Sequence, residues 1–182
     1  MLFAHDTEAS LLAAVALVNS AEEPDTLTSV AALDAFYAEH AYTGSRTHGQ
    51  GELDEVRALR APLRTLLTST RDNAVGIVNR MLAEAGAVPQ LVRHDGEDWH
   101  LHATDRTAPF ATRIAVETAM AMVDVIRADE MSRLDLCADE TCGGVVLDLS
   151  RNRSKRFCST ACGNRNAVAA YRARQTGGLH QN

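Results

Sequence analysis

The sequence predicts an α+β fold that is mainly α: a helical N-terminal domain with one β-hairpin, followed by a small metal-held finger. Three observations predict it. Apolar residues recur at helical spacing through most of the first 130 residues, which is typical of helices packed on one core. The period shortens to two only around residues 90–102. All four cysteines lie between residues 137 and 162.

The first two helices are predicted before residue 45. Asp6 or Thr7 is expected to cap the first helix, and Pro24 with its polar neighbours ends it. The second helix ends at the turn-like segment 43–45. Their inward apolar residues are Leu11, Leu12, Val15, Val18, Val30, Leu33, Phe36 and Tyr37.

Two further helices are predicted between residues 53 and 86. Pro62 lies inside the stripe of the third helix and is expected to kink or restart it. The fourth runs from Arg71 to Ala85, with Gly86 just beyond its end. The inward residues are Leu53, Val56, Leu59, Leu63, Leu66, Leu67, Val75, Val78, Met81 and Leu82.

A hairpin and a central helix complete the first domain. Residues 90–94 and 98–102 alternate around the turn Asp95-Gly96. His94, His100 and His102 lie in these strands, and alternation puts His100 and His102 on the same face. They are interpreted as a solvent-facing pair, although two such histidines could also bind a metal. Residues 109–129 are apolar on most faces, which predicts the central helix of the domain.

The cysteines follow a C-x4-C, C-x3-C pattern with a spacer of 15 residues. Cys137, Cys142, Cys158 and Cys162 can therefore surround one tetrahedral zinc ion. Free or disulfide-bonded thiols are the alternative. No secretory leader pattern or membrane-spanning apolar run is found in the sequence, which favours a zinc site in a reducing cytoplasm.

The order of elements around the cysteines predicts a treble-clef-like zinc finger. A polar turn lies between Cys137 and Cys142, residues 145–149 form a strand, and 156–157 return the chain to Cys158. Ser159 is expected to cap a helix that carries Cys162. Four protein ligands leave no open coordination position, so one structural Zn²⁺ per chain is expected.

Charge is distributed unevenly along the chain, whose net charge is −6. Residues 131–182 carry eight basic and four acidic side chains, against 10 basic and 20 acidic in the rest. A basic module on an acidic body favours an anionic partner, and a solubilising basic face is the alternative.

The finger resembles a known family. Cys162-Gly163-Asn164-Arg165 spells the signature of the bacterial CGNR zinc fingers, and the resemblance spans about 133–174. Three residues separate the final cysteine pair, where many members have four. Residues 9–130 resemble the ABATE domain of the same proteins more loosely. The resemblance implies a stress-linked transcription regulator that binds DNA through the finger.

Eight side chains are candidates for contacts with duplex DNA. The four basic residues between 151 and 156 cluster at the predicted turn and are assigned to contacts with phosphates. Arg172 and Arg174 extend the basic surface along the helix. Asn164 and Arg165 could contact base edges. The structural alternative is that Asn164 caps the metal loop and that Arg165 braces the hairpin or donates to a thiolate. The candidates are Arg151, Arg153, Lys155, Arg156, Asn164, Arg165, Arg172 and Arg174.

The sequence thus predicts three segments: an ABATE-like sensor or dimerisation domain over 1–130, the finger over 131–175, and a frayed tail over 176–182. A cytoplasmic, nucleoid-associated regulator that acts as a homodimer is the leading hypothesis. The alternatives are an RNA- or protein-interaction module and a thiol redox sensor. No motif of an enzyme is found in the sequence, so no catalytic activity is expected.

Overall fold

The protein is described by a computed structural model over residues 2–93 and 99–177. Within these ranges the chain forms seven α-helices and two antiparallel strand pairs. In chain order the elements are α1 His5–Asn19, α2 Val30–Glu39, α3 Gln50–Ala58, α4 Arg60–Leu67, α5 Arg71–Glu84, β1 Gln90–Val92, β2 His100–His102, α6 Phe110–Arg127, a 3-10 turn Met131–Arg133, β3 Leu134–Leu136, β4 Val145–Leu147 and α7 Thr160–Gly177. The fold is therefore mainly α with two small hairpins, as predicted.

Helix α1 begins earlier than predicted. Its N-cap residue is Ala4, whose side chain makes no capping hydrogen bond, so the expected caps at Asp6 and Thr7 are wrong. Both side chains make tertiary contacts instead. The Thr7 hydroxyl donates to Asp124 in α6 at 2.7 Å, and Asp6 accepts from the Leu101 N–H in β2 at 3.2 Å.

The predicted restart near Pro62 is confirmed. α3 ends at Ala58 and α4 begins at Arg60, which places Pro62 in the first turn of α4, where a helix loses little from a missing N–H. Gly86 follows α5 with a φ of +58°, the left-handed conformation expected beyond a helix end.

Helix α6 is the centre of the core. It packs on α1, α5 and α3, and Ile114, Val116 and Met122 have no exposed surface. Two residues predicted to point inward do not: Leu12 is 46% exposed and Val75 is 41% exposed. Each lies at the edge of its helix's apolar stripe, where sequence spacing does not distinguish core from surface.

The first hairpin places its histidines toward the protein. β1 pairs antiparallel with β2, with Leu91 opposite Leu101, and both leucines are exposed. His100 and His102 are half-buried on the other face and line a cavity against α1. Their predicted solvent-facing position is therefore wrong. The predicted turn and His94 lie outside the described residues.

The second hairpin pairs the predicted strand with a strand, β3, that the sequence did not predict. β4 pairs with β3, with Asp135 opposite Val146, and not with residues 156–157. The predicted return segment contacts the turn between Cys137 and Cys142, which we call the knuckle. In this contact the Ala138 N–H donates to the Arg156 carbonyl at 2.9 Å. β3 is only three residues long and follows α6 closely, so its period is too short to be recognised in the sequence.

Strand β4 contributes to two cores at once. Val145 and Leu147 belong to the main helical core, whereas Val146 packs with Cys137 and Cys162 in the finger. This alternation follows from the period of two in a strand. The predicted boundary at residue 130 is thus crossed by apolar packing.

Replacing Leu147 with alanine should destabilise the whole protein. Leu147 is 3% exposed, and removing a buried leucine costs about 2–5 kcal/mol. Leu136→Ala in the paired strand is the matched control, because Leu136 is 50% exposed. Urea unfolding of the zinc-loaded chain measures both, and equal losses of unfolding free energy would contradict the shared core.

Candidate metal centre and basic surface

Short backbone elements bring the four cysteines together. Cys137 follows β3 and Cys142 precedes β4, so the hairpin holds this pair at its tip. The turn between them is closed by Asp139, whose carboxylate accepts from the N–H and hydroxyl of Thr141 at 3.1 and 2.8 Å. Cys158 precedes α7, and Cys162 lies in its first turn. The Ser159 hydroxyl accepts from the Cys162 N–H at 3.2 Å, which agrees with the predicted cap.

The four sulfur atoms have the spacing of a tetrahedral metal site. All lie within 4.8 Å of one another, and the sulfur of Cys158 is 3.5 Å from that of Cys142 and 3.6 Å from that of Cys162. Zn–S bonds of 2.3 Å in a tetrahedron place sulfurs about 3.8 Å apart. None of the four cysteines forms a disulfide. The cluster is a site for one structural Zn²⁺.

Backbone N–H groups orient the thiolates. The N–H of Gly144 points at the Cys142 sulfur at 3.3 Å, and the N–H of Cys158 points at the Cys137 sulfur at 3.4 Å. A Cβ on Gly144 would lie 2.9 Å from the Cys158 sulfur. Only glycine therefore lets the strand approach the metal ligands this closely.

Arg165 belongs to the metal centre in this structure. Its guanidinium donates to the Cys162 sulfur at 3.1 Å and to Asp139 at 2.9 Å. The Thr141 hydrogen bonds, together with Arg165, lower the pKa of Asp139 to about 2. The structural role that the sequence left open for Arg165 is thus the one its contacts support, since it joins α7 to the knuckle across the metal ligands.

The helical domain holds the knuckle through polar contacts that the sequence did not reveal. The Asn19 side chain accepts from the Val145 N–H at 2.6 Å and donates to the Val145 carbonyl at 2.8 Å. Glu22 accepts from the Gly143 N–H at 3.0 Å, and Arg64 donates to the Gly143 carbonyl. Residue spacing could not assign this role to Asn19, because its partner lies 126 residues away and no local pattern joins them.

The basic candidates lie on the loop before α7 and along α7. Arg153 pairs with Glu130 at 2.8 Å and donates to Ser132 at 2.9 Å. Arg151, Lys155 and Arg156 are exposed on the loop before α7. Asn164, Arg172 and Arg174 are exposed on α7. Arg133, which was not a candidate, is buried and ties the loop to the hairpin through the carbonyls of Asp148 and Ser150.

Arg165→Gln should weaken zinc binding about 10–100-fold, because it removes the hydrogen bond that orients the Cys162 thiolate. Arg174→Gln changes the charge of the same helix by the same amount at an exposed position and should leave zinc affinity unchanged. Competition with a chromogenic chelator measures the difference. Equal zinc affinity in the two variants would contradict this role of Arg165.

Zinc affinity should fall as the pH is lowered. In the metal-free cluster burial raises the pKa of the Cys142 and Cys158 thiols, so both are protonated at neutral pH and must lose protons to bind the metal. Displacement of at least these two protons implies an affinity change of about a hundredfold or more per pH unit. Chelator competition between pH 6 and 8 tests this, and a flat profile would show that the thiols are already ionised.

Comparison with known families agrees with the geometry. Residues 133–175 match the family model described as CGNR zinc finger, and residues 12–129 match ABATE, described as "putative stress-induced transcription regulator". The comparison with curated proteins gives no match. The second model covers more than half of the chain and the first contains all four metal ligands. The chain therefore belongs to the ABATE family and carries a CGNR zinc finger after its helical domain.

Proposed function

We propose that the protein is a stress-linked transcription regulator that binds duplex DNA through its zinc finger. It acts by binding and not by catalysis, in the cytoplasm and in association with the nucleoid. The family descriptions support a regulator, and the closed set of four thiolates offers a metal no open position for chemistry. No helix in the described ranges is both long enough and apolar enough to cross a membrane.

The observation that carries this proposal is the exposure of α7. The helix has 18 residues, a length of about 27 Å. Between residues 160 and 175 only Cys162 is buried among the described side chains. The helix contains no acidic residue. An exposed helix of this kind has the dimensions that the major groove of DNA accepts.

Arg172 and Arg174 lie on opposite sides of α7, with a strip of other residues between them. At 100° per residue, Arg172 and Arg174 lie about 200° apart around the axis. Asn164 and Tyr171 lie seven residues apart, on the strip midway between them. A helix in the major groove has phosphates on both sides. Arg172 and Arg174 would therefore contact the phosphates on opposite sides of the groove. Asn164 would face the bases, where it can pair with adenine.

The loop before α7 supplies a second set of phosphate contacts. Arg151, Lys155 and Arg156 are exposed there, and no ion pair to any of them occurs within the described ranges. Arg153 differs because its guanidinium already pairs with Glu130, which it shares with Arg133. Arg165 is held by Asp139 and Cys162, so Asn164 is the better candidate for base contacts.

Duplex DNA suits this surface better than single strands. Binding of single strands relies on bases stacking on aromatic side chains. Between residues 151 and 174, Tyr171 is 57% exposed, whereas Phe157 is half-buried against the cysteines of the finger. One accessible ring offers little stacking surface.

One finger covers few base pairs, so the proposed DNA-binding form is a homodimer that contacts two half-sites. Analytical ultracentrifugation of the protein with a saturating duplex measures the stoichiometry. Two chains per bound site are expected, and one chain per site at saturation would contradict the dimer.

The first experiment measures duplex binding across a salt series for the wild type and for Cys158→Ser. The wild type should hold one zinc per chain and bind with a steep salt dependence, because lysine and arginine release counterions from phosphates. The serine variant lacks one of the four ligands and should lose both zinc and binding. Zinc without any duplex affinity would refute DNA binding and direct the search to an RNA or protein partner.

A charge-matched pair of double variants tests the surface. Arg151→Gln with Arg156→Gln should weaken binding similarly for all sequences and reduce the log–log salt slope by about 2. Arg80→Gln with Arg127→Gln removes the same charge from exposed positions of the helical domain. The control should keep the wild-type slope. The same loss in both would mean that net charge and not the loop determines affinity.

A further inference from the structure

The helical domain contains a cavity of about 330 Å³ beside the first hairpin. The first turns of α1 form one wall, residues 40–43 form another, and β2 and Glu117 of α6 complete the lining. A neighbouring cavity of about 120 Å³ shares Glu117 with it. The volume is at the lower end of the range for small-molecule sites, about 300–1,000 Å³.

Two polar groups of this cavity lack partners in the described part of the chain. The Tyr42 hydroxyl is buried and makes no hydrogen bond. Burial, and then the nearby Glu117, raise the pKa of Tyr42. A buried hydroxyl without a partner costs about 1–3 kcal/mol, and native proteins rarely leave one unsatisfied unless a ligand or water completes it.

Glu117 is the second group. Its carboxyl group has no hydrogen bond or ion pair with any described residue. Burial raises its pKa to about 7, against the opposing effects of Arg113 and His100. Arg113 does not pair with it, because its guanidinium donates to the carbonyls of Thr43, Ser45 and Ala108.

The histidines around the cavity add hydrogen-bonding groups. His100 Nε2 lies 3.1 Å from His102 Nε2, so one nitrogen donates and the other accepts. Burial lowers the pKa of His40, which is therefore neutral near pH 7. His5 lies at the start of α1 on the same lining. These groups do not form a metal site, since the only cluster of three or more metal-binding groups within the described ranges is the cysteine cluster.

Charge determines which ligand fits. The carboxyl groups of the lining are those of Asp6 and Glu117, and Asp6 already accepts from the N–H groups of Thr7 and Leu101. Ala9, Ala13 and Leu101 provide apolar surface between them. A ligand with a positively charged donor and a short hydrocarbon portion would satisfy both parts of the cavity.

We propose that this cavity binds a small primary amine, whose ammonium group donates to the Glu117 carboxylate and to the Tyr42 hydroxyl oxygen. The hydrocarbon part of the amine lies against the alanines of α1 and Leu101. The site is separate from the zinc centre and its lining shares no residue with the finger. It would make the helical domain a receptor for organic cations.

The test is thermal unfolding of the full zinc-loaded chain with three probes at 10 mM: propylamine, cyclohexylamine and benzylamine. The corresponding alcohols and carboxylates are the ligand controls. At least one amine should raise the Tm by about 3–6 °C, a shift expected for a ligand near tenfold over its Kd, and the alcohols and carboxylates should not. No shift with any amine, or equal shifts with the carboxylates, would overturn the proposal.

Two variants and one control assign the effect to the cavity. Glu117→Gln should abolish the amine shift, whereas Glu55→Gln, at an exposed acid of α3, should keep it. Tyr42→Phe removes only the unpartnered hydroxyl, so the free protein should be at least as stable as the wild type while amine affinity falls about tenfold. An unchanged amine shift in Tyr42→Phe would refute the assignment even if Glu117→Gln does not fold.

Calorimetric titration of the amine that gives the largest shift supplies an independent readout. Because Glu117 is partly protonated near pH 7, an ammonium group that binds it should displace protons, and the observed heat should depend on the ionisation enthalpy of the buffer. Glu117→Gln should abolish this dependence on the buffer, and the same dependence in Glu117→Gln would overturn the contact with Glu117.

Discussion

The structure depends on a three-residue strand with a different environment on each face. Val145 and Leu147 fill the main core, and Val146 packs beside Cys137 and Cys162. A slip of one residue in the pairing would exchange these faces. The Asn19 side chain opposes such a slip because it binds both backbone groups of Val145. The helical domain and the zinc site therefore set the position of β4 together.

The arginines near the finger show how one residue type serves different purposes. Arg133 is buried and satisfies carbonyl groups, Arg165 orients a thiolate, and Arg153 is paired with an acid of the preceding segment. A sequence count assigns all three to nucleic acid, but each already has a partner in the protein, although Arg153 and Arg165 remain exposed. The other basic side chains of the finger lie on the loop before α7 and along the helix. Charge alone is thus a poor guide to which residues contact a partner.

The sequence predicted the features that depend on local spacing. Cysteine separation defined the metal ligands, and helical periodicity defined most of α2 to α6. It did not predict the pairing of β3 with β4, since three residues carry too little pattern. It also missed Asn19, Glu22 and Tyr42, whose roles arise from partners far away in the chain. The cavity beside β2 joins residues 5 to 117, and no motif connects them before folding.

The double role of β4 has a consequence for the newly made chain. A finger this small depends on its metal for much of its stability, so without zinc the Val146 face of the strand loses its packing on Cys137 and Cys162. The packing of Val145 and Leu147 and the contacts of Asn19 must then hold β4 without the metal, and each opening of the strand exposes apolar surface of α1 to water. Chains in that condition are substrates for proteases and chaperones. The cellular supply of zinc would therefore set how much of this protein accumulates.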